Sequence, residues 1–97
     1  MKAAIDTMER HRRTDHVVVG GTKVFEPALN YYRVTRKLDW MLPVEQHPLS
    51  NPADFYVVDW PDRVELARAG PLVVLVEEPE WRCAVVEAVR PPAEVVR

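Results

Sequence analysis

The stretch VVVGGTKVFEPALNYYR, residues 17–33, begins as a phosphate-binding loop does: an apolar β-branched run, two glycines, then a helix-like segment. The established loops demand more than this. A dinucleotide loop needs three glycines, G-x-G-x-x-G, for the turn, the approach of the pyrophosphate and the helix contact; a P-loop needs Gly-Lys-Ser/Thr opening its helix. Here Gly20 and Gly21 stand alone and Thr22-Lys23 follow them. Glu26 lies at the helix start, where the positive end of the dipole would otherwise welcome a phosphate. A carboxylate repels an anion there, so the glycines read as a sharp turn off a strand end that uses their freedom at positive φ.

The position is still one where ligands bind. In open α/β sheets they sit beyond the carboxyl ends of the strands, where strand order reverses. On the strand order argued below, Thr22, Lys23 and Glu26 meet Asp59, Trp60 and Asp62 there, and Asn30, on the same helix as Glu26, completes the candidate set. One base, three acids and an indole suit a sugar or another polar ligand. The alternative is that these residues cap helices and end strands; Asp62, followed by Glu65, already resembles a capping box. The surplus of acid sets an expectation: nucleotides bind weakly or not at all, and a ligand is uncharged or cationic. Each opposed charge at ~4 Å costs on the order of 1 kcal/mol in water and up to ~4 kcal/mol at an effective dielectric of about 20.

Elsewhere the chemistry is sparse. His11, His16 and His47 have no metal-ligand spacing, so no metal site and no cofactor is expected. Cys83 lies in an apolar run without a base beside it, which suits a buried structural thiol rather than a nucleophile. Arg10, Arg12 and Arg13 suit the last turn of a helix and a solvated end, with a phosphate or lipid-headgroup contact as the sharper reading. Glu77, Glu78 and Glu80 read as a solvated acidic turn. No Ser-His-Asp order, supported carboxylate pair or nucleophile elbow is visible, so no catalytic residue is assigned.

These residues must be positioned by a small domain. The 97 residues allow one core. A hydrophobic content of 47% argues against disorder, and a net charge of −2 argues against nucleic acid as a partner. No stretch has the ~18 apolar residues of a membrane span, and 1–13 lacks the apolar region of a signal peptide; the chain as given is expected to be soluble. Ala4, Ile5 and Met8 predict a first helix over 2–13, within an N-terminal region of 1–14. Val17-Val18-Val19 predicts a strand covered on both faces. Pro27 pre-sets a helix over 27–37, with Ala28, Tyr31, Tyr32 and Thr35 on one face. Residues 40–44 read as a short edge strand, because Pro43 removes a ladder donor, and HPLSNP at 47–52 as a loop. Residues 55–59 predict a second inner strand, 62–69 a helix closed by a left-handed Gly70, 72–76 a third inner strand and 83–89 an antiparallel edge strand. The tail 90–97 is expected to fray. The fold class predicted is α/β: one small Rossmann-like layered sandwich of about five strands, mostly parallel, with 17–19 between the 40–44 and 55–59 strands and the C-terminal pair beyond.

A longer pattern adds to this reading. VVVGGTKVFEPALNYYRVTRKLDWMLPV, followed by ADFYVVD, resembles the soluble extracytoplasmic segment after the last membrane helix of bacterial polytopic, lipid-phosphosugar-dependent glycosyltransferases, relatives of the protein mannosyltransferases. The matching residues are Glu26, Pro27, Leu29, Asn30, Tyr31, Tyr32, Arg33, Trp40, Pro43, Asp54, Phe55, Tyr56 and Val57, within 17–59. The resemblance implies a non-catalytic accessory module at the extracytoplasmic face of a membrane. Its partners would be a saccharide or lipid-linked sugar acceptor, or the parent membrane domain. In such enzymes the catalytic acid lies among the membrane helices, and no residue here corresponds to it. Two other readings stay open: a stand-alone cytoplasmic small-ligand or nucleotide-binding domain, and a protein-interaction module using a strand edge and Trp81.

Overall fold

A computed structural model describes residues 1–44 and 52–89. Most of the loop expected at 47–52 and the tail expected to fray at 90–97 lie outside the described residues. The chain runs through α1 (Lys2–His11), β1 (Val19–Gly21), a single 3₁₀ turn (Lys23–Phe25), α2 (Glu26–Thr35), β2 (Phe55–Val58), α3 (Trp60–Ala69), β3 (Leu72–Glu78) and β4 (Cys83–Ala88). The four strands form one mixed sheet in the order β1-β2-β4-β3. No helix among the described residues is long and apolar enough to cross a membrane.

The apolar runs explain the centre of this sheet. All four residues of β2 are buried, as a strand covered on both faces requires. Its side chains alternate between two clusters. Phe55 and Val57 join Val19, Cys83 and Val85 under α1 and α2; Tyr56 and Val58 join Ala84 and Val86 under Leu66 of α3. From α1, Ala4, Ile5 and Met8 enter the first cluster at 0% exposure, as their helical spacing predicts. β1 pairs with β2 in parallel, with Val19 opposite Phe55. The expected neighbouring, parallel pair is therefore present.

Four expectations need correction. The sheet has four strands and is mostly antiparallel, so it is not Rossmann-like: β2–β4 and β3–β4 are antiparallel, and only β1–β2 is parallel. The C-terminal strand is interior and Leu72–Glu78 is the edge, the reverse of the expected arrangement. Both runs are apolar, but Val85 and Val86 are wholly buried, whereas β3 ends in the acids Glu77 and Glu78. At an edge Glu77 stays in water, and charge there also discourages stray strand pairing. Third, residues 40–44 make only a single parallel bridge, Met41 to Val17, rather than a strand. Trp40 O accepts from Val17 N–H at 2.8 Å and Leu42 N–H donates to Val17 O at 3.0 Å, so the segment does flank Val17 on the side away from β2. Fourth, α2 buries Leu29, with Ala28 and Tyr32 half-buried beside it, while Tyr31 points outward at 64% exposure.

Candidate functional site

The two glycines expected to form a turn are instead the last residues of β1, paired with Tyr56 and Val57 of β2. Gly21 has φ +130°, and a Cβ placed there would lie 2.1 Å from the Val57 carbonyl oxygen. Thr22 N–H donates to that same carbonyl at 3.0 Å. The glycine therefore lets two backbones touch, and the amide that would face a phosphate is already bonded within the sheet.

Thr22, Asp59 and Asp62 do converge at the strand ends, as expected, and they satisfy one another. The Thr22 hydroxyl accepts from Asp59 N–H at 3.0 Å and donates to Asp62 Oδ2 at 2.6 Å. Asp59 Oδ1 accepts from Asp62 N–H at 2.9 Å, which makes Asp59 the N-cap of α3. The expected cap at Asp62 is thus wrong by three residues. Pro61 in the first turn of α3 is the signal that places the helix start earlier. This triangle is structural, and its test is Thr22→Val. Losing the bridging hydroxyl leaves an amide and a carboxylate short of a partner, so denaturant unfolding is expected to show a loss of about 1.5–3 kcal/mol.

Asn30 lies away from this corner. Its amide brackets the Val44 backbone: Nδ2 donates to Val44 O at 2.7 Å, and Oδ1 accepts from Val44 N–H at 2.8 Å. It locks the chain after Met41 against α2. Lys23 is exposed in the 3₁₀ turn, and Glu26 is half-buried in the first turn of α2.

Trp60 is the expected site residue that keeps a free face. It is 67% exposed, and the Arg63 guanidinium lies over its ring, 5.1 Å from the centroid. Arg63 also pairs with Glu77 of β3 at 2.9 Å. Below these side chains a groove of about 340 Å³ runs between the start of α3 and the β3–β4 turn, with Asp59 and Arg82 on its rim and Cys83 in its lining. It opens at the carboxyl end of β2, where a ligand was expected, but Arg63, Glu77 and Arg82 were not foreseen. The i, i+3 spacing of Trp60 and Arg63 on one helix was the available signal. Arg82 gave none, since it holds a left-handed φ of 53° without being glycine.

Cys83 is buried, as expected. Burial first, then the Glu78 carboxylate, pushes its thiol up to about 11, with the Met1 ammonium acting in the opposite sense. Against the ordinary 9.0, that leaves about a hundredfold less thiolate near neutrality. Iodoacetamide should therefore alkylate Cys83 at least about a hundredfold more slowly in the folded chain than in urea; equal rates would contradict the burial. Among the described residues no group of three or more His, Cys, Asp or Glu side chains is gathered as a metal site.

No family model, no curated protein and no solved structure matches this chain.

Proposed function

We propose that the chain is a non-catalytic binding module that holds a neutral polar ring, a saccharide unit, against Trp60 in the groove between α3 and the β3–β4 turn. The observation that carries this is an indole exposed at 67%, with Arg63 over its ring, in the lining of a groove that is mostly apolar but also holds Asp59, Glu77 and Arg82. A sugar ring presents C–H bonds to an aromatic face and hydroxyls to its surroundings; Asp59 and Glu77 offer acceptors, and Arg63 and Arg82 offer donors. Asp59, Glu77 and Glu78 outnumber Arg63 and Arg82 in the lining, and this surplus of acid favours neutral ligands over nucleotides. The resemblance of residues 17–59 to the soluble segment of lipid-phosphosugar-dependent glycosyltransferases supports the same reading: an accessory module presenting glycan or acceptor to a parent enzyme.

The test is a tryptophan-fluorescence titration with neutral oligosaccharides beside ATP and UDP-sugars. Binding of the oligosaccharides near the millimolar range, about 4 kcal/mol, is expected. Trp60→Ala should abolish it while leaving unfolding within about 0.5 kcal/mol, because the side chain is exposed. Tighter binding of nucleotides, undisturbed by Trp60→Ala, would overturn the proposal.

A further inference from the structure

The outward face of α2 is apolar, and α2 packs on the face of the sheet opposite α3. The inner face follows the usual rule: Phe25 and Leu29 are buried and Tyr32 packs beside them. The opposite face of such a helix should be charged and polar. Instead α2 carries Pro27, Tyr31 and Val34 there, and Val24, in the 3₁₀ turn just before it, continues the spacing: i, i+3, i+7 and i+10 from Val24. Val24 is 70% exposed, Tyr31 64% and Val34 63%. The Tyr31 ring is held edge-on against Tyr32, 5.6 Å between centroids, so the stripe has a defined shape.

Charge accompanies the stripe. Residues 23–37 hold Lys23, Arg33, Arg36 and Lys37 against Glu26 alone, a net +3 in a chain of net −2, which leaves −5 elsewhere. Arg36 is engaged with Asp6 of α1 at 3.2 Å. Lys23 and Lys37, both exposed, stand at the two ends of the stripe.

We propose that this face of α2 docks on an anionic lipid surface. Val24, Tyr31 and Val34 settle among the headgroups, and Lys23 and Lys37 pair with lipid phosphates at either end. A second copy of the chain fits badly. Antiparallel packing of two stripes sets Lys23 against Lys37, and parallel packing sets Lys37 against Lys37. A protein groove fits less well than lipid, because helix-in-groove recognition uses long side chains to fill pockets. Here Val and Pro are too short to do so. Tyr31 instead brings an apolar body and a polar tip, the combination favoured at headgroup depth. The docking is independent of the saccharide reading, since α2 packs on one face of the sheet and α3, which carries Trp60, on the other.

The experiment is co-sedimentation of the 97-residue chain with phosphatidylcholine vesicles, made with and without phosphatidylglycerol. Binding to the anionic vesicles is expected to exceed that to the neutral ones by about tenfold or more, and to weaken as salt is raised. Tyr31→Ser with Val34→Ser should reduce it by about tenfold, and Lys23→Glu with Lys37→Glu by a similar factor. All four side chains are exposed, and circular dichroism should show both double variants folded. Absence of binding, equal binding to neutral vesicles, or binding unaffected by the Tyr31→Ser, Val34→Ser pair would overturn the proposal. So would self-association in solution that the same pair abolishes, which would assign the stripe to a second copy.

Discussion

Gly21→Ala is expected to cost about 3–5 kcal/mol, enough to unfold a domain of this size. Two effects combine. The backbone at φ +130° lies in a region that L side chains rarely adopt, and the new methyl group would meet Val57 O at 2.1 Å and Val57 C and N at 2.8 Å. Those neighbours are main chain of β2, the strand on which both apolar clusters rest, so no side chain can swing aside. β1 would have to lift from β2, breaking the register of Val19 on Phe55 and the Thr22 bond to Val57. Gly70→Ala is the control. Gly70 ends α3 in extended backbone, φ 161°, not in the left-handed form expected from the sequence, and nothing lies within 4 Å of an added Cβ. That substitution should be neutral, or should stabilise by about 0.4–1 kcal/mol through the unfolded chain. Urea unfolding of the two variants side by side decides the matter. Similar midpoints for both would mean that the close approach of β1 and β2 is not real.

The second large effect is expected at Glu78. The residue is 8% exposed; Oε1 accepts from Ala4 N–H at 3.1 Å, and Oε2 faces the Met1 ammonium at 3.0 Å, held by charge rather than by an aligned hydrogen bond. One carboxylate thus closes the amino end of α1 onto the end of β3. Glu78→Ala removes the acceptor from a buried amide and the counter-charge from a buried ammonium, and a loss of about 3–5 kcal/mol is expected. Glu78→Gln keeps an acceptor but not the charge, so its cost should be about half of that. Because the Glu78 charge helps to hold the Cys83 thiol up, Glu78→Gln should also speed alkylation of Cys83 while the protein remains folded. If both variants unfold at the wild-type midpoint, Glu78 is not the tie between α1 and β3.

What could be read beforehand divides along a physical line. The first helix was legible because Ala4, Ile5 and Met8 repeat at helical spacing, and β2 because a continuous apolar run specifies burial on both faces; β1 was legible only in part, since Val19–Gly21 shares one residue with the run 17–19 and takes in the glycines read as a turn. Strand order beyond that pair was not. LVVLV and CAVV have the same local character, and the turn Pro79–Arg82 joins them as a hairpin whichever of the two lies beside β2. The meeting of Thr22, Asp59 and Asp62 followed from the place of the strand ends. Their roles did not, because a hydroxyl that both accepts and donates is a matter of ångströms rather than of spacing. The two bonds of the Asn30 amide to the Val44 backbone were not legible either, because their partner lies 14 positions away. The groove escaped notice because its walls, Arg63 and Glu77, come from separate elements and meet only across the finished fold.

The tie between Ala4 and Glu78 spans 74 positions of the chain. A ribosome therefore delivers the first helix long before the strand that receives it exists. Through that interval Ala4, Ile5 and Met8, wholly buried in the finished domain, have no β3 or β4 to rest on. The parallel pair of β1 and β2 draws only on residues made before β3, whereas the burial of α1 is complete only once β3 and β4 have followed. Such late, distant closure is slow, and it leaves an oily helix in need of shelter while the rest is made.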